Sequence, residues 1–327
     1  MRETQSRRGP GVGIATMAVV LLVAGVAVVA LGVLKTREDG DAAAPILAET
    51  GRKPWQVSID LDISAGFLVT AAVVDAGRQT LTVQDIGLND NPAGAYGGEV
   101  SVFEPGVLDE NQLSGGEAVN VDVDLDARYV PAYTFAAHGD GAAQQWQTPA
   151  VGWRDPSGTW VLVYGDGKTT KESLLKLAGA VRLGTPRDLR MPFRLGGGIP
   201  DGLAPTYVQS PENKVGGLPP TVGLSAPSRT PSRAAVYRTE SPSLDLSVSA
   251  VPRDAHWATT RKTLGAAAKV AGHDTWFDSG QLTVETDLCI IHVRAATTAP
   301  REQLARIVDE MTIGDCTDLD SWIPPLA

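Results

Sequence analysis

The run Gly11–Leu34, GVGIATMAVVLLVAGVAVVALGVL, holds 24 residues without a charge. A helix rises about 1.5 Å per residue and a hydrocarbon core is about 30 Å thick, so about 20 apolar residues span it. The run exceeds the about 7–15 apolar residues of a secretory signal. The nearest small-x-small triplet, Ala42-Ala43-Ala44, is followed by Pro45, whose fixed φ and missing N–H fit an extended protease cleft badly. The sequence therefore predicts an uncleaved transmembrane helix. Arg2, Arg7 and Arg8 precede it and only Lys35 and Arg37 follow closely. That bias predicts a single-pass cell-membrane protein with a cytoplasmic N-terminus and an extracytoplasmic bulk. The membrane, entered through Gly11 to Leu34, is the first expected partner.

Charge and cysteine usage narrow the remainder. The formal net charge is −10, which repels phosphate and argues against a nucleic-acid partner. With 43% hydrophobic residues the chain can bury a real core. Its two cysteines, Cys289 and Cys316, lie in the region placed outside the membrane. An oxidising compartment makes their disulfide the expected state, worth ~3–4 kcal/mol in the entropic picture. Without a CxxC spacing, a redox pair or metal site is disfavoured.

Past a small, polar, proline-punctuated linker, strict alternation of Val57, Ile59, Leu61 and Ile63 predicts a strand with one wet face. Further strands are expected at 66–74, 79–85, 99–103, 119–125, 129–136, 144–152 and 159–164. Thr169 and Glu172 read as a capping box, and Leu174, Leu177, Ala178 and Val181 form a helical stripe that Gly184 and Pro186 end. Gly196-Gly197-Gly198, flanked by Pro192 and Pro200, marks a junction. Beyond it, strands are expected at 206–209, 234–239, 244–251, 269–277, 281–286 and 288–295, with a Pro/Ser/Gly loop over 210–233 and a short helix over 256–265. A last helix carries Leu304, Ile307, Val308 and Met311, and Gly314 ends it.

The two halves match in kind: tryptophan, Ser-Gly turn, strand, threonine-rich cap, helix, glycine. One amphipathic helix suffices to cover the dry face of a sheet with one wet side. The predicted class is α+β, a transmembrane helix followed by two β-rich modules, each a curved antiparallel sheet covered by a C-terminal amphipathic helix. The expected boundaries are a tail at 1–10, the spanning helix at 11–34, a linker at 35–54, modules at 55–186 and 201–316 about a junction at 187–200, and a tail at 317–327. The segments GTWVLVYGDG, TKESLLKLAGAVRLG and RLGGGIPDGLAPTYVQ resemble extracytoplasmic modules of the LolA/RseB type and related sporulation and anti-sigma domains of bacterial envelope proteins. The resemblance implies an apolar concave sheet able to take a lipid moiety or a partner, and assigns no functional residue.

Catalytic and metal motifs fail on inspection. Asp122, Asp124 and Asp126 begin like a calcium loop, but Ala127 and Tyr133 stand where glycine and glutamate are required. Gly165-Asp166-Gly167-Lys168-Thr169 resembles the end of a phosphate loop, yet Leu162 replaces its first glycine. Ser173 and Lys176 form an SxxK without the companion elements of penicillin-binding enzymes. His138, His256, His273 and His292 show no zinc spacing, and His273-Asp274 is more simply a turn or edge contact. No catalytic, cofactor or metal residues are assigned. The expected function is binding of a protein partner or lipid-like ligand by the ectodomain. The alternatives are an extracytoplasmic hydrolase or transferase, or a regulatory ectodomain.

Overall fold

The computed structural model describes residues 53–75, 77–86, 97–121, 126–136, 145–165, 168–213, 218–226, 244–297 and 299–326. Val57, Ile59 and Leu61 point inward from β1 (Gln56–Leu61), as alternation requires. Ile63 does not continue the pattern and is 76% exposed. Asp62 caps a 3-10 turn there, its carboxylate accepting from Ser64 N at 3.0 Å, and that turn ends the strand.

The first half continues with β2 (Phe67–Asp75), β3 (Arg78–Asp85), β4 (Gly98–Phe103), α1 (Asn111–Ser114), β5 (Glu117–Val119), β6 (Ala127–Ala136), β7 (Gln145–Arg154), β8 (Trp160–Tyr164), α2 (Lys171–Ala180) and β9 (Val181–Asp188). The second half runs β10 (Phe193–Arg194), β11 (Ala204–Pro211), β12 (Thr221–Ser225), β13 (Leu246–Pro252), α3 (Ala255–Arg261), β14 (Ala268–Val270), β15 (His273–Asp278), β16 (Gln281–Glu285), β17 (Cys289–Ala295), α4 (Arg301–Asp309) and β18 (Thr312–Ile313). Element for element the halves correspond.

Their strands form one antiparallel sheet of 14, in the order β14-β15-β16-β17-β13-β12-β11-β2-β3-β4-β8-β7-β6-β5. Read outward from β2 and from β11, each half has the same order. The halves join where β2 pairs with β11, from Tyr207 opposite Asp75 to Pro211 opposite Ala71. Pairing satisfies two edges that separate modules would leave open. The outer edges, β14 and β5, are three residues each, too short to template much further pairing. In each half the first and last strands form their own ribbon, β1 with β9 and β10 with β18.

The expected α+β class is thus corrected. The described fold is mostly strand, and one continuous sheet replaces two separate curved ones. The spanning helix and the single-pass, extracytoplasmic placement are corrected as well. No helix among the described residues is long and apolar enough to cross a membrane. The longest, α2, has 10 residues where a span needs about 20. The run Gly11–Leu34 lies outside the described residues.

One sheet face carries the main core. Leu174, Leu177 and Ala178 of α2 join Val100, Val102, Val161 and Val163, while Leu304, Ile307 and Val308 of α4 join Val248, Leu282, Val284, Ile291 and Val293. Burying one such side chain is worth about 1.5–3 kcal/mol. Val181, expected to complete the α2 stripe, instead begins β9 with an extended backbone. Thr170 rather than Thr169 caps α2, accepting from Ser173 N at 3.1 Å. The expected strand at 269–277 is two strands, because Ala271 and Gly272 both take positive φ, a primed two-residue turn.

Candidate functional site

The face opposite α2 and α4 is wetter, and register builds a transverse polar row on it. Trp276, Thr283, His292, Ser249, Thr221 and Gln209 stand opposite one another in turn, and across β2 the row continues through Val73 to Thr80 and Ser101. In the first half this face closes over a smaller cluster of Phe103, Leu113, Tyr133, Phe135, Leu162 and Tyr164. Beside that cluster a buried chain of polar groups runs from Thr80 Oγ1 to Ser101 Oγ (2.8 Å), on to Tyr164 Oη (3.4 Å), which donates to Glu99. Burial and the Glu99 carboxylate push the Tyr164 phenol well up. Arg78 is buried against Asp75, whose carboxylate with that of Glu99 holds the guanidinium charged despite desolvation.

In the second half the row is half-buried. His292 Nδ1 lies 3.2 Å from both Gln281 Nε2 and Thr283 Oγ1. An amide N–H only donates, so Nδ1 accepts and the ring proton sits on Nε2. Burial holds the pKa below the ordinary histidine value. A neutral imidazole with its proton on Nε2 is a donor from that nitrogen.

Next to it, α3 is fastened by charge. Arg253 and Arg261 each approach the nearly buried Glu285 at 2.9 Å, Arg261 also meets Asp274 at 2.9 Å, and Lys269 meets Asp274 at 2.7 Å. The Glu285 contacts are close ion pairs rather than aligned hydrogen bonds. Lys269 and Arg261 hold the Asp274 carboxyl below its usual range. Asp274 is therefore committed to these cations, and the His273-Asp274 pair resolves into an edge-strand contact set.

The tail helps to form an open concavity. Met191 and Ile323 exchange backbone hydrogen bonds at 2.7 and 2.9 Å, and Leu195 N donates to Pro325 O at 2.8 Å. Cys316 is bonded to Cys289 of β17, with Cα atoms 5.5 Å apart, and Trp322 Nε1 donates to Asp315 O at 2.8 Å. The tail so fixed faces the ends of β9 and β11 across a cleft of about 860 Å³. One wall presents Arg187, Asp188, Arg190 and Glu212, the other Asp320, Ser321 and Trp322. Arg187 is engaged by Glu212 at 3.1 Å, and Asp188 accepts from Gln56 Nε2 at 2.8 Å. Arg190 and Asp320 are exposed, and neither side chain has a partner among the described residues.

The glycine triplet at the junction also acquires a reason. A Cβ at Gly196 would lie 2.2 Å from Glu310 O, and one at Gly198 2.5 Å from Arg306 O. The junction passes directly under the end of α4, where no side chain fits.

Of the motifs weighed in the sequence, Asp122 and Asp124 lie outside the described residues, and Asp126 pairs with Arg128 at 3.0 Å. Asp166 and Gly167 lie outside as well, as do His138 and the expected strand at 234–239. Lys176 sits over the Phe67 ring at 4.9 Å, and Ser173 serves the Thr170 cap, so the SxxK is surface of α2. Among the described residues no group of three His, Cys, Asp or Glu side chains could hold a metal ion. Arg190, Ser321 and Asp320 carried no motif; a Pro-rich tail after a cysteine was the one signal that the chain end is tied back. No protein-family model matches the chain. No curated protein matches it either.

Proposed function

We propose that this chain is a binding module that holds a stretch of a partner polypeptide in the cleft between its tail and the ends of β9 and β11. The cleft itself carries the reading. It is polar, open and built from backbone that four separate restraints fix: a disulfide, a two-bond bridge, the Leu195–Pro325 bond and a buried tryptophan. Small-molecule pockets are mostly apolar and enclosing, so a polar trough suits an extended chain better. An apolar ligand has less support, because Leu174, Leu177, Leu304 and Ile307 fill the helix-covered face at 0–1% exposure.

The test is selection of a random dodecapeptide library on the full chain, followed by binding to Ser321→Trp. Ser321 is exposed, so its replacement by an indole narrows the cleft without disturbing the core. The expected result is enrichment on the parent chain and at least about tenfold weaker binding to the variant, near 1.4 kcal/mol. No enrichment, or equal binding to both, would refute the reading.

A further inference from the structure

The cleft has a charge pattern of its own. Of the five ionic side chains that line it, Arg187 and Glu212 pair with each other, and Asp188 keeps its charge but has its carboxylate oriented by Gln56 Nε2. That leaves Arg190 on the wall formed by the segment after β9, and Asp320 on the wall formed by the tail. Both are solvated, and among the described residues nothing in the fold uses either one. The two opposite charges are carried by segments that the Met191–Ile323 bridge keeps in fixed relation.

We infer that the cleft selects polypeptide segments carrying both an acidic and a basic side chain, the acid meeting Arg190 and the base meeting Asp320. This rests on the reading of the cleft as a peptide site. A planar guanidinium takes a carboxylate in a two-pronged geometry that an ammonium does not reproduce. A ligand bearing only an acid would satisfy Arg190 while meeting repulsion from Asp320, and one bearing only a base would meet the reverse. Charges of both signs therefore favour segments that carry both an acid and a base over singly charged ones, by the modest margin of exposed ion pairs. They also fix which way the segment runs.

The probe is the tightest dodecapeptide from the selection on the full chain. Its acidic residue is changed to the amide and, separately, its basic residue to norleucine. Each peptide is titrated against the parent chain, Arg190→Gln and Asp320→Asn. On the parent, either neutralisation should weaken binding about two- to fivefold, the range of an exposed ion pair. The acid-to-amide loss should vanish in Arg190→Gln, and the base-to-norleucine loss should vanish in Asp320→Asn. Arg190→Lys should restore only part of the first loss. Raising salt should shrink both. Enriched peptides without charge, or losses that persist unchanged in the matching variant, would overturn the charge assignment while leaving the cleft as the peptide site. Absence of any enriched peptide would instead remove the site itself.

Discussion

His292 stores a pH dependence in one side chain. Its pKa is held below the ordinary value of 6.5 by burial, so the unfolded chain takes up a proton that the folded chain resists. The stability contribution is fully present above pH 6.5 and is lost as pH falls through the depressed folded value. Chemical denaturation from pH 7.5 to 5 should show stability falling with acidification, and His292→Gln should flatten that slope. The Asp62, Asp274 and Asp315 carboxyls, lowered by their hydrogen-bond and ionic partners, act in a separate window below 3.8. Tyr164→Phe removes the phenol that donates to Glu99 inside the sheet. Equilibrium unfolding should show a loss of about 1–3 kcal/mol, since a buried charged acceptor loses one of its donors. Neither residue stood out in the sequence: a histidine in a strand and a tyrosine closing one carry no local sign of what lies across the register.

Elements were more legible than residues, where the pattern was long. Alternation at 57–61 and the stripes Leu174-Leu177-Ala178 and Leu304-Ile307-Val308 were readable because one face of each element meets the core. Some short elements escaped: β10 and β18 hold too few positions for periodicity to show, and β12 lies inside the stretch expected as a Pro/Ser/Gly loop. β9 escaped for a different reason, since Gly184 and Pro186 signal a stop, and its ribbon with β1 tolerates both through a bulge. The glycine triplet was read as a break and is in fact a contact. Gly198→Ala should cost about 1–3 kcal/mol by forcing α4 away, measured as a lower denaturation midpoint. The disulfide was expected from cysteine number and expected address, and Cys316 is indeed bonded to Cys289. Its removal by Cys316→Ser should cost ~3–4 kcal/mol and expose the tail to limited proteolysis before the rest of the chain.

Across the molecule, the matching halves were visible as matching ends, but their fusion was not. Strand pairing between β2 and β11 is set by residues 132 or more positions apart, as Asp75 opposite Tyr207 shows, and no local pattern reports that separation. The cleft follows from the same long-range arrangement, because its walls come from the first half's last strand and the chain's far end. Amide hydrogen exchange across the full chain, with and without the selected dodecapeptide, tests this most directly. The peptide should slow exchange at 187–190, 210–212 and 319–324 and leave the row around Ser249 and His292 unchanged. Protection centred on that row, or none at the cleft, would contradict the proposed site.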